Sequence, residues 1–169
     1  MVLKMNRLKR YTLAGVLFTL VAGTLAHFVY EWTGNNMIAG LFFPVNESTW
    51  EHMKLVFFPM LLYSFFMERK LREEYPCIKS ALTCGLLSGT FLVPVLFYFY
   101  TGVLGFHTLP LDILSFILSV LFGFRILYKY SCSCKAKPYA AILKLFVCIT
   151  AICFLLFSYA PPAIGLFAG

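Results

Sequence analysis

Apolar runs recur five times along this chain, over residues 11–31, 50–67, 80–100, 111–128 and 139–159. Each is close to the roughly 20 residues that a helix needs to cross the hydrocarbon layer of a bilayer. The segments between them are short, so 169 residues leave no room for a separate soluble domain. The chain is 61% hydrophobic and 12% charged, whereas soluble domains are about half apolar and about a quarter charged. A core of this size cannot hide such an excess, because small domains bury a limited share of their surface. The pattern predicts an all-α polytopic membrane protein. It forms one domain over residues 1–169, a bundle of about five transmembrane helices that passes repeatedly through the cell membrane.

Charge placement predicts the orientation. Lys4, Arg7, Lys9 and Arg10 precede the first run. Arg69, Lys70, Arg72 and Lys79 mark the 68–79 loop, and Arg125, Lys129, Lys135, Lys137 and Lys144 surround the 129–138 loop. Of the 14 Lys and Arg residues only Lys54 falls at the opposite helix ends. Cytoplasmic loops carry the excess of Lys and Arg, so the N-terminus is expected inside and the C-terminus outside. The net charge of +7 is then loop anchoring, and nucleic acid is not an expected partner. The basic start and first apolar run also have the form of a signal peptide, with Thr24-Leu25-Ala26 as a poor cleavage site. An uncleaved first span better suits a chain that is membrane-bound throughout. On this topology none of the 6 cysteines lies in an outer loop. Disulfides form in oxidising compartments, so free thiols are expected.

The 32–49 segment has an apolar centre too short to span, which suits an interfacial or re-entrant piece. Trp32 and Trp50 are expected in an outer aromatic belt. Ser48-Thr49-Trp50-Glu51 reads as a capping box, with Ser48 as the N-cap of the second run. Ala81, Gly85 and Gly89, and Ser115, Ser119 and Gly123, form stripes of small residues suited to close helix approach. Pro59 and Pro94 bend their helices at similar depth, roughly 10 Å from the outer ends, and so suggest a cavity opening outward.

The chemistry is concentrated between His27 and Pro59. His27 and Glu31 share a helix face, and Glu47 and Glu51 repeat that spacing beside His52. All 3 histidines and four of the 7 acids fall at the predicted outer side. Ionisable groups near a bilayer are costly and are usually paired or functional. Imidazoles and carboxylates together suit a divalent metal such as zinc, with His27, Glu31 and His52 as candidate ligands. Glu47, Glu51 and Lys54 are candidate catalytic groups: a carboxylate as general base, and the lone outer ammonium as a holder of lipid phosphate. The competing structural reading makes Glu51 a capping acid and pairs Lys54 with Glu51 or Glu47. No HExxH and no paired CxxC is present. A Ser48/His52/Glu47 triad is disfavoured by the capping role of Ser48, and a haem between His27 and His52 by the nearby carboxylates. Three function classes follow: a hydrolase or transferase acting on a lipid or envelope substrate, a small cation- or proton-coupled transporter, and a non-catalytic subunit of a membrane complex. Membrane lipids are the expected surroundings, and the oligomeric state is left open.

The residues His27-Phe-x-Tyr-x-Trp32, Gly40 and Pro44-Val-Asn-Glu-Ser-x-Trp-Glu-His52-x-Lys54 make up a distinctive signature. On them the chain resembles an uncharacterised family of small integral membrane proteins of Firmicute-type bacteria. The resemblance implies a bacterial multi-spanning protein and carries no activity with it.

Overall fold

A computed structural model describes residues 2–167, with side chains described for residues 6–167. Lys4, one of the N-terminal basic residues, lies outside the described side chains. The chain folds as α1 (Val2–Trp32), α2 (Met37–Phe42), α3 (Thr49–Leu71), α4 (Ile78–Leu104), α5 (Leu109–Ser133) and α6 (Ala140–Phe157). Short 3-10 turns cover Lys137–Tyr139 and Gly165–Phe167, and no strand occurs among the described residues. Four helical stretches there are long and apolar enough to cross a membrane: Asn6–Trp32, Ile78–Leu104, Leu109–Ser133 and Lys137–Phe157.

α3 is not one of the four, because its first turns carry Glu51 and Lys54. Its first turns and one face are instead enclosed by the others. Val56, Phe57, Met60, Met67 and Leu71 on α3 are fully buried, whereas α1 exposes Leu13, Leu17 and Val21, and α6 exposes Ile142, Leu145 and Ile149. The polar first turns of α3 are surrounded by protein; farther along the helix Leu62, Phe65 and Phe66 are exposed, as are the outward faces of α1 and α6.

α3 packs against α1 and α4, α5 packs against α4 and α1, and α6 lies on α4. The α4–α5 crossing is the closest. A Cβ on Gly85 would sit 2.6 Å from the Gly123 carbonyl oxygen, and one on Gly89 would sit 3.0 Å from that of Ser119. The two small-residue stripes therefore face each other, as their spacing predicted. α1 makes its own close approach. A Cβ on Gly23 would lie 2.5 Å from the Leu55 carbonyl oxygen. That carbonyl stands four residues before Pro59, so the proline removes its helical hydrogen-bond donor. Gly23 lets the α1 backbone close over the freed oxygen.

Short connections make successive long helices alternate in direction, which gives the bundle two polar ends. The basic end is tied by an Arg7–Glu74 ion pair and by Lys79 3.7 Å from Glu68. Cys77 and Cys134 form a disulfide there, which corrects the expectation that every thiol is free; Cys84, Cys132, Cys148 and Cys153 are free. The expectation rested on compartment alone. The tight α4–α5 crossing brings the cap of α4 and the cap of α5 together, with the two Cα atoms 5.3 Å apart.

Gly85→Val should lower stability by about 1–3 kcal/mol through overpacking. Gly102→Val, at a position where a Cβ meets nothing within 4 Å, should not cause that loss. Thermal unfolding of both variants in detergent checks the difference.

Candidate functional site

The site begins where the chain leaves α1. Gly34 and Asn35 take left-handed backbone angles (φ 66° and 60°) and turn the chain back. Asn36 caps α2, its Oδ1 accepting from the Ile38 N–H at 2.8 Å. α2 exposes Met37, Ile38 and Phe42 and turns Gly40 toward Tyr30, Val45 and Tyr159. The loop after it is ordered by its own polar groups. Asn46 Oδ1 accepts from the Ser48 N–H at 2.9 Å, and Ser48 Oγ caps α3 by accepting from the Glu51 N–H at 3.4 Å.

The capping box is half made. Glu51 does not return to the Ser48 N–H, which Asn46 already holds. Its Oε2 accepts instead from the Val45 N–H at 2.9 Å and from Lys54 Nζ at 2.7 Å. Lys54 also donates to the Gly40 carbonyl at 3.0 Å and to Ser158 Oγ at 2.6 Å. An ammonium has three protons to donate, and here all three have acceptors. The Lys54 and Glu51 side chains are 0% and 2% exposed. Lys54 is therefore not open to a lipid phosphate. The pair joins α2, α3, α6 and the 43–48 loop.

Glu51 and His52 are neighbours in sequence, and neighbouring residues on a helix do not face the same way. Glu51 turns toward α2 and α6, whereas His52 turns toward α1. Glu47 meets His52 and His27 there. Its Oε1 lies 3.7 Å from His27 Nε2 and its Oε2 lies 3.3 Å from His52 Nε2. The two imidazoles stack with centroids 5.5 Å apart. His52 Nδ1 is 2.9 Å from the Ser48 carbonyl oxygen. A carbonyl only accepts, so Nδ1 carries a proton, and in the neutral ring Nε2 then presents a lone pair to the carboxylate. Nε2 thus faces the largely exposed Glu47 carboxylate at 3.3 Å, a separation that a shared cation would turn into an attraction.

The ligand atoms of His27, Glu47 and His52 all lie within 4.8 Å of one another, a grouping that can hold a metal ion. Tetrahedral ligands of zinc, about 2.0–2.2 Å from the ion, lie about 3.4 Å apart; the two Glu47 separations are to different oxygens, and the group as a whole, within 4.8 Å, would close by a small side-chain shift around an ion. Glu31 is not in this group. It is exposed, one turn beyond His27 toward the end of α1, and the loop supplies the third ligand atom instead. The structure thus brings His27, Glu47 and His52 together, sets Glu51 and Lys54 in a separate buried pair, and leaves Glu31 outside both.

A cavity of about 430 Å³ adjoins the cluster, with Leu55, Val93, Phe97 and Phe116 among its apolar walls. Leu55 lies one turn before Pro59 and Val93 directly precedes Pro94, so the cavity lies near both prolines. The far wall carries His107 and Asp112. Tyr100 Oη donates to Asp112 Oδ1, and His107 Nδ1 lies 3.6 Å from Asp112 Oδ2. Tyr100 had no sequence signal beyond its place opposite Asp112 across the short α4–α5 connection.

An all-helical chain with four helices long and apolar enough to cross a membrane, gathering its buried charges and imidazoles at one end, has the character of a polytopic membrane protein. More particularly, the chain belongs to DUF6512, a family of unknown function, whose profile matches residues 1–169. No curated protein and no solved structure matches it.

Removing one partner of the buried pair leaves the other charge unpaired. Lys54→Ala should therefore cost about 3–5 kcal/mol, while the double change Glu51→Leu with Lys54→Met should recover most of that loss. Thermal unfolding of the two variants in one detergent checks the order.

Proposed function

We propose that this protein is a metal-assisted hydrolase or transferase acting on a lipid or envelope substrate at the outer face of a bacterial cell membrane. The reading rests on the convergence of His27, Glu47 and His52 at the mouth of the 430 Å³ cavity. Two imidazoles and a carboxylate are ligands that zinc accepts, and a three-ligand set leaves a position for water. A metal in such a site lowers the pKa of its water and so makes a nucleophile at neutral pH. The apolar walls suit a substrate with hydrocarbon attached. In this reading Glu47 is a ligand, not a base, and Glu51 and Lys54 hold the scaffold.

α3 is the fifth span in this arrangement, its polar first turns shielded by neighbouring helices. The charge bias of the loops favours the basic end facing the cytoplasm and the histidine end facing outward; the Cys77–Cys134 bond at the basic end is the observation that favours the opposite orientation. The acidic residues lie at the two ends of the helices in sequence and none lies midway, which favours chemistry at one face over an ion path across.

Purified protein loaded with zinc and desalted should retain close to one ion per chain. His27→Ala and Glu47→Ala should lose it, and Glu31→Ala should keep it. Folded wild type that retains no divalent ion would contradict the reading. For the orientation, alkaline phosphatase fused at the C-terminus should be active in a bacterial host, and a fusion at residue 75 should be inactive. The reverse pattern would invert the topology.

A further inference from the structure

The cavity has a second polar wall that metal binding does not use. His107 Nδ1 lies 3.6 Å from Asp112 Oδ2, and Tyr100 donates to the other oxygen of the same carboxylate. Asp112, held from one side by the tyrosine, stands beside a mostly exposed His107 ring that is not hydrogen-bonded to it at this distance; a closer approach on substrate binding would let the carboxylate orient the imidazole. The free ring nitrogen of His107 is then available to exchange a proton, the arrangement of a base oriented by a third group. His107 lines the same cavity as His27, Glu47 and His52.

The cavity also selects by charge. Glu47 and Asp112 line it, and no lysine or arginine does among the described residues. Lys54, the basic residue at this end, is committed to Glu51, Gly40 and Ser158. A phosphodiester anion would meet the Glu47 and Asp112 carboxylates, offset only by the metal and a protonated His107. A neutral acyl carbonyl meets no such repulsion, and its hydrocarbon chain fits against Leu55, Val93 and Phe116.

We infer that the site cleaves the acyl ester or amide bond of a lipid, with protonated His107 giving its proton to the leaving group and Asp112 and Tyr100 as positioning residues. This rests on the metal reading above. Hydroxide from water ionised at the metal adds to the carbonyl carbon, and the carbonyl π pair moves to oxygen. The pair returns as the bond to the leaving oxygen or nitrogen breaks, and that atom takes the proton of His107. The products are a carboxylic acid and an alcohol or amine. The next water ionised at the metal returns a proton to His107, so each turnover consumes one water.

The test uses the full-length zinc-loaded protein in nanodiscs with three probes: monodecanoylglycerol, 4-nitrophenyl decanoate and bis(4-nitrophenyl) phosphate. Wild type should cleave both esters and not the phosphodiester. An alkoxide needs a proton to leave and 4-nitrophenolate does not. His107→Gln should therefore slow the glyceride by about 100-fold or more, in the range of general acid catalysis, and leave the nitrophenyl ester nearly unchanged, with zinc retained. Asp112→Asn should show the same split to a smaller extent. His27→Ala should lose the zinc and both ester activities. Equal slowing of both esters in His107→Gln would overturn the role of His107. Phosphodiester cleavage, or bound zinc with no ester cleaved, would overturn the acyl substrate while leaving the metal site standing. Wild type without zinc would overturn the metal reading itself.

Discussion

The ion pair between Lys54 and Glu51 is the interaction on which the histidine end of the bundle depends. Burying two charges costs several kcal/mol per ion, and their attraction offsets this only when the remaining hydrogen-bonding positions are filled. Here Gly40, Ser158 and Val45 fill the positions around Lys54 Nζ and Glu51 Oε2 from three other parts of the chain, whereas Glu51 Oε1 is buried without a partner. The demand for those partners draws α2 and the 43–48 loop over the start of α3 and against the end of α6. It also explains why the polar first turns of α3 are enclosed by their neighbours. Trp50 closes the assembly from one side, stacked among Phe154, Phe157 and Phe167.

The geometry of the metal-binding cluster follows from that arrangement. With Glu51 turned to α2 and α6, helical geometry sends His52 toward α1. The loop that donates Val45 N–H to Glu51 carries Glu47 two residues later, and Glu47 then falls between His52 and His27. The close approach of Gly23 to the Leu55 carbonyl keeps α1 near enough for His27 to take part. Pro59 and Pro94 lie within a turn of the cavity-lining residues Leu55 and Val93. The site is thus assembled by backbone constraints lying away from the proposed chemistry.

Much of this was legible in the sequence, and the misses have physical causes. Helix periodicity paired Gly85 and Gly89 with Ser119 and Gly123, because small residues four apart define a face without reference to the partner. Ser48 was readable as a cap because capping is local. The density of His and Glu between His27 and His52 marked the right stretch. Spacing offered Glu31 as the third candidate ligand, because it reveals only what shares a helix face; Glu47, which completes the group that could hold a metal, arrives through a loop path set by the Val45–Glu51 hydrogen bond. Trp50 looked like an interfacial ring and is buried, since nothing local announces that Phe154 and Phe157 will cover it. The Cys77–Cys134 bond and the Tyr100–Asp112 contact are tertiary pairings, invisible to composition and to rules about compartments.

X-ray absorption at the zinc edge on the loaded protein would test the central claim, that His27, Glu47 and His52 form one metal centre, most directly. The account predicts a shell of two imidazole nitrogens and carboxylate or water oxygens at about 2.0–2.2 Å, with the outer-shell scattering of the imidazole rings and no sulfur. A shell dominated by sulfur at about 2.3 Å would place the ion among the cysteines, and a shell of oxygens without imidazole scattering would mean an ion held only by water and surface acids. Either result would contradict it.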